Sequence, residues 1–366
     1  MPVGIFDLWR RLPQRLYMCG SLVDPVPPIE LCPIWNIAFP SSVFKALDRI
    51  GGNLNKAQNL LIFGLLAAGT CCLAGCGDLG QFDRYREDFH FSQAFQPSGR
   101  LEVENFNGSV DVASWDRNTI DVSGTKYAPS KEQMDRIKVD FHVDGGVAYV
   151  KVNRIDSMNW GGGYGAKFLI RVPKATTMSR VKTTNGGITV EDIDGGGTVE
   201  STNGRVLLAR VNGDYQLQTT NGGIELDSCQ GAMRAHTTNG TVKGQLASGS
   251  INASTTNGAI DVTLRKTKHG DPLRAETTNG SVILAIGEFN DNEISASSTN
   301  GSITLRLPAS PNARLEARNS VSSITNEVVP FTVEEQSKHR LSGKFGDGGP
   351  LIQLHTSTGG IHISKY

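Results

Sequence analysis

Nine glycines fall in one unbroken nine-residue register: Gly186, Gly195, Gly204, Gly213, Gly222, Gly231, Gly240, Gly249 and Gly258. Every second one closes the same phrase: Thr184-Asn185-Gly186, Thr202-Asn203-Gly204, Thr220-Asn221-Gly222, Thr238-Asn239-Gly240 and Thr256-Asn257-Gly258. The period is therefore eighteen residues, built from two halves of nine. A unit this short cannot bury its own apolar face, so each copy must stack on the next.

Two and four residues after each glycine the side chain is mostly apolar, as in Ile188 and Val190, Val206 and Leu208, Ile224 and Leu226. The residue between is usually polar, as in Thr189, Glu225, Lys243 and Asp261. That alternation is the strand signal, and it runs for only about three to five residues before the next turn. The pattern predicts an all-β chain: a parallel β-solenoid, either a β-helix or a two-sheet roll, with about 18–22 residues per coil. Equal coils place equal residues above one another. Asn185, Asn203, Asn221, Asn239 and Asn257 should form a ladder of side-chain amides, continued by Asn279 and Asn300. The glycine after each Asn permits the positive φ that a tight corner often needs. Thr184, Thr202, Thr220, Thr238 and Thr256 add a β-branched column beside the ladder. Such columns read either as the material of the corner or as a regular binding face.

The register then loosens. Thr278-Asn279-Gly280 follows after twenty-two residues, Thr299-Asn300-Gly301 after twenty-one, and Arg318-Asn319-Ser320 after nineteen with its glycine lost. Ser357-Thr358-Gly359-Gly360-Ile361 is a degraded last copy. The extra residues, Lys266 to Asp271 among them, should leave one edge as loops at 265–272 and 287–293, where a specific site is more plausible than on the repeats.

The N-terminal stretch carries a second signal. An apolar segment, Asn59 to Thr70, follows Lys56 and ends in Leu73-Ala74-Gly75-Cys76. A short apolar run with a basic flank and a small-residue exit reads as a cleavable signal, not a spanning helix. Cysteine directly after Leu-Ala-Gly resembles the bacterial lipobox. That resemblance implies lipidation of Cys76 and a membrane partner reached through the lipid. Gly77 after the cysteine slightly favours the outer membrane, by resemblance to a common Gram-negative sorting rule. Residues 1–53 are Pro-rich and aperiodic and read as a disordered upstream mis-start. Residues 54–75 are then the signal peptide, 76–95 a tether, 96–174 an N-terminal β segment that caps the array, and 175–366 the repeats. Ser130 is placed to cap a short helix within that cap.

Beyond residue 75 the chain holds 30 Lys/Arg against 32 Asp/Glu, a net charge of −2, which gives no electrostatic case for nucleic acid. Only Cys76 and Cys229 remain of six cysteines, and Cys229 shares its repeat position with Ile193 and Val211, as a small core residue would.

Phe106-Asn107-Gly108-Ser109-Val110-Asp111-Val112 with Trp115-Asp116, then Val172-Pro173-Lys174, then repeated Thr-Asn-Gly-x-Ile/Val, resembles the “putative adhesin” β-strand-repeat family of bacterial envelope proteins. The resemblance spans roughly residues 95–366. It implies the fold and an envelope location, and it carries no catalytic residues. β-Helices also host polysaccharide lyases, so catalysis needs weighing. The densest acidic group, Glu191, Asp192 and Asp194, has no acid one coil on, where Ala209, Arg210 and Asn212 stand. A solvated turn fits it better than a cation site. The repeats lack the Asp of the calcium-binding nonapeptide. His355 and His362 flank the last corner without supporting ligands, and Gly161 to Gly165 lacks the Lys-Ser/Thr of a phosphate loop. We therefore expect no catalytic residue, no metal and no cofactor. The expected function is a lipid-anchored, non-enzymatic envelope module that binds a surface glycan or protein. The alternatives are a periplasmic structural or envelope-stress accessory, then a polysaccharide lyase or hydrolase.

Overall fold

Strands follow from the alternation, and their stacking follows from the equal spacing. The computed structural model describes residues 85–153 and 163–366. The signal segment, Cys76, the first half of the tether and residues 154–162 lie outside them. The described residues hold twenty-five strands and one six-residue helix.

The N-terminal segment comprises β1 (Tyr85–Ala94), β2 (Arg100–Glu104), β3 (Val110–Trp115), β4 (Thr119–Ala128), α1 (Lys131–Arg136), β5 (Val139–Asp144), β6 (Val147–Val152) and β7 (Gly165–Pro173). Ser130 caps α1, its hydroxyl accepting from the Gln133 amide. The middle comprises β8 (Thr177–Asn185), β9 (Ile188–Glu191), β10 (Gly197–Asn203), β11 (Val206–Ala209), β12 (Tyr215–Asn221), β13 (Ile224–Asn239), β14 (Val242–Asn257), β15 (Ile260–Lys266), β16 (Leu273–Asn279), β17 (Val282–Glu288), β18 (Ile294–Asn300) and β19 (Ile303–Leu307). The C-terminal segment adds β20 (Ala313–Asn319), β21 (Ile324–Asn326), β22 (Phe331–Gln336), β23 (Arg340–Phe345), β24 (Leu351–Thr356) and β25 (Ile361–Lys365).

Parallel pairing sorts the middle into two columns. In the first, β8, β10, β12, the ends of β13 and β14, β16 and β18 pair in turn, always Asn on Asn. In the second, β9, β11, the starts of β13 and β14, β15, β17 and β19 pair in turn, with Ile188, Val206, Ile224, Val242, Ile260, Val282 and Ile303 aligned. Inward residues of both columns join one apolar cluster. Each fully buried Ile, Leu or Val contributes about 1.5–3 kcal/mol, and no single layer holds enough of them to stand alone.

The ends are not sequential. β2 lies between β6 and β8, and β3 between β7 and β9. At the far end β24 lies between β18 and β20, and β25 between β19 and β21. Each terminal repeat is thus inserted one layer inward. Antiparallel strands finish the edges: β5 on β6, β1 on β4 beside β7, and β23 with β22 on β20. Antiparallel edge strands blunt the row of open amides that a parallel stack would present.

Four expectations need correction. The second half of the tether is strand β1, paired with β4 over its whole length, because Phe89 and Phe91 reach Phe168 and Phe141. The strands of β13 and β14 run for 16 residues through the second corner, because Gly231 and Gly249 bend there at φ 111° and 132° without losing the interlayer bonds. Glycine after Asn does not take a positive φ in Gly186, Gly204, Gly222, Gly240 or Gly258. It is required because a Cβ would run into the carbonyl oxygen of the glycine one layer back. Arg318-Asn319-Ser320 does not stand in the register of the Thr-Asn-Gly phrase: Asn319 pairs with Thr356, so Val321 takes the ladder position there and Ser322 the glycine position.

Candidate binding face

The first corner shows what the repeated phrase builds. Each ladder amide donates from Nδ2 to Oδ1 of the Asn one layer back: Asn203 to Asn185 at 2.7 Å, Asn221 to Asn203 at 2.7 Å, Asn239 to Asn221 and Asn257 to Asn239 at 2.9 Å. Asn279 and Asn300 continue it at 2.9 and 2.8 Å. Asn185 donates to Asn107 at 2.6 Å, which adds one residue that the spacing did not single out. All donors point the same way, so the amide dipoles align along the stack. These seven asparagines, Asn185 to Asn300, are nonetheless exposed.

The buried counterpart lies two residues before each Asn. Ser201, Thr219, Thr237, Thr255, Thr277 and Ser298 donate their hydroxyls to the glycine carbonyl one layer back at 2.9–3.0 Å. Thr183 and Thr356 do the same in their layers. At the two ends Asn105 and Asn319 take this column, both buried. The sequence signal was present, a small hydroxyl at a fixed offset, but the adjacent Thr masks it.

Outside the corner, the first column turns a broad polar sheet face to solvent. Along one row stand Asp140, Lys151, Glu104, Lys182 and Glu200, opposite signs on neighbouring strands. Lys151 pairs with Glu104 at 2.8 Å and Arg180 with Glu200 at 2.9 Å. The Glu104 carboxyl is held below the usual carboxylate range by the Lys151 hydrogen bond, helped by Lys182 and Arg180. The row then continues through Gln218, His236 and Ser254. Hollows open near the two inserted layers. One of about 240 Å³ lies over β2, β6 and β8, lined by Glu102, Tyr149, Lys151 and Lys182 among others. One of about 300 Å³ lies over β18, β24 and β20, with Ser295, Gln353, His355 and Arg318, and one of about 290 Å³ over β16, β18 and β24, with Ser295 and Gln353.

The other features singled out in the sequence do not converge. Arg210 stacks one layer from Asp192 and grips it at 2.8 and 2.9 Å, while Lys174 holds Asp194 at 3.2 Å. That pairing lowers the Asp192 pKa and leaves the acidic group matched by cations. Of the loops expected at 265–272 and 287–293, β15 and β17 take the first two residues of each, and the remainders, 267–272 and 289–293, lie side by side. Buried Asn292 donates to Lys268 and Asp271 carbonyls, and Asn290 to that of Thr267. His362 bonds Thr325, and His355 opens onto the C-terminal hollow. Cys229 is fully buried, and burial pushes its thiol up to about 11. Among the described residues no group of three His, Cys, Asp or Glu is arranged to hold a metal.

No family model matches the sequence, and the comparison with curated proteins finds no match. Among solved structures, a “putative adhesin” from Bacteroides fragilis is 14% identical with a TM-score of 0.39, over 76% of this chain and 97% of that one. A “putative lipid binding protein” from Parabacteroides distasonis is 12% identical with a TM-score of 0.36, over 76% and 97%. A “putative cell adhesion protein” from Clostridium sporogenes is 11% identical with a TM-score of 0.22, over 76% and 100%. At such identities and TM-scores the likeness carries no argument about this chain.

Proposed function

We propose that the chain is a non-enzymatic binding or adhesion module of the bacterial envelope, built on a parallel β-solenoid and anchored by a lipid on Cys76. The observation that carries the binding reading is the outward face of the first column. It is a broad, layered surface of Thr, Gln, Ser and paired charges, with hollows near both inserted layers. Contacts spread over such a face are individually weak, and display of many copies on a membrane raises avidity. The Leu73-Ala74-Gly75-Cys76 run supports the anchor.

A screen of the purified chain against surface glycans and matrix proteins tests the binding reading. Saturable attachment that is weakened by charge-reversing Arg234 and Arg274 on the face supports it. No attachment to any surface favours a structural or envelope-stress role. Cleavage of a polysaccharide would overturn it. Metabolic labelling with a fatty-acid analogue tests the anchor: wild type should be labelled and Cys76→Ser should not.

A further inference from the structure

The hollow over β2, β6 and β8 has chemistry that the rest of the face lacks. Tyr149 stacks on His142 with centroids 4.9 Å apart and planes 20° from parallel. In the register Tyr149 stands between His142 and Glu102, so the stacking leaves its other ring face toward the groove. Beside it the stems of Lys and Arg side chains offer aliphatic surface. Three cations line the groove, and two are already committed, Lys151 to Glu104 and Arg180 to Glu200. Lys182 makes no ion pair within 4.0 Å among the described residues. Glu102 and the Tyr149 hydroxyl are likewise without a hydrogen-bonding side chain among them.

The groove therefore offers an aromatic face, one ammonium and one carboxylate that no close ion pair or side-chain hydrogen bond holds among the described residues. A phosphate, or a polyanion without hydroxyl donors and an apolar ring face, would supply acceptors alone and meet Glu102, Glu104 and Asp140. A neutral apolar ligand would leave Lys182 and Glu102 desolvated. We propose that the groove holds one unit of an acidic sugar, a pyranose bearing a carboxylate. Its apolar ring face lies on Tyr149, its carboxylate meets Lys182, and a hydroxyl donates to Glu102. The assignment rests on the surface-binding reading above and deepens it by naming a ligand class.

Calorimetric titration of the full chain with a galacturonic acid trisaccharide and a neutral galactose trisaccharide tests it. The acidic trisaccharide should bind saturably, and the neutral one about tenfold more weakly, the worth of one charge-assisted hydrogen bond. Lys182→Met should abolish the preference for the acid. Tyr149→Ala should weaken both ligands, and Lys243→Ala, exposed on the second column, neither. Both groove side chains point outward, and unchanged thermal midpoints will show that the variants fold. Absence of saturable binding by either trisaccharide, or an acid preference intact in Lys182→Met, overturns the assignment. Attachment in the surface screen that survives both groove variants would sink the groove alone. Attachment absent from the wild type as well would sink the broader reading.

Discussion

The middle of the stack and its ends solve one problem in opposite ways. From β8 to β19 each repeat lies on the repeat before it, so every contact is between chain neighbours one period apart. Such an array has no reason to stop, and its last layer would offer open backbone and a bare apolar face. At both ends the terminal repeat is instead clamped between two others, so that β2 and β24 are covered on each side. The middle gains regularity, and the ends gain closure. The difference teaches that a repeat's place in a stack is set by what caps it as well as by its own sequence.

The largest test of this contrast is deletion. Removing 205–222 splices Gly204 to Gly223 in register and should leave one cooperative unfolding transition at a lower midpoint. Removing 350–366 takes out the clamped layer and should abolish that single transition, with proteolysis opening at 308–349. Circular dichroism and limited digestion read both. Equal tolerance of the two deletions would show that the clamp is dispensable.

Alanine at the close-approach glycines comes next. Gly222→Ala in the middle and Gly359→Ala in the clamped layer each drive a Cβ into the preceding glycine carbonyl. Each should cost about 3 kcal/mol in urea unfolding. A global cost at Gly222 with only local fraying at Gly359 would mean that the clamp does not couple the end to the rest.

Cys229 probes whether the middle stays dry. Its folded thiol is raised to about 11 by burial, so above about pH 9 the unfolded chain loses this proton first. Stability contributed by the neutral thiol is therefore complete at lower pH and lost as pH rises toward 11, by roughly 2–3 kcal/mol. Tyr215, raised by burial as well, adds to the loss. Cys229→Ala should show a shallower alkaline decline, and an identical one would mean that the thiol ionises freely in the fold.

The hydroxyl column is a smaller effect. Thr237→Val and Thr356→Val each remove the hydroxyl donor to a half-buried glycine carbonyl and should cost about 1–2 kcal/mol. A larger loss at Thr356 would place more of the fold's stability in the clamp than in the middle. The smallest effect belongs to the ladder. Asn221→Ala removes an exposed amide that water can replace, so a cost within about 1 kcal/mol is expected. A loss near that of Thr237→Val would show that the aligned amides act as one cooperative chain.

The sequence by itself determined the period, the alternation and the residues that recur, because an eighteen-residue spacing places Asn203 on Asn185 and Val206 on Ile188 once the layers pair in parallel. It also announced the cap of α1, whose Ser130 acts within three residues. What it could not decide was anything set between non-neighbours. Glycine after Asn looks like a turn residue from its own phrase, and only the carbonyl of another layer shows that the constraint is space. Asn319 copies the ladder phrase, yet its register belongs to Thr356, a partner thirty-seven residues on. The clamped order of β2 and β24 was invisible for the same reason: equivalent repeats offer equivalent edges, and the antiparallel strands that cap the stack choose among them. The groove beside Tyr149 exists because β6, β2 and β8 lie side by side, an adjacency that chain order does not contain.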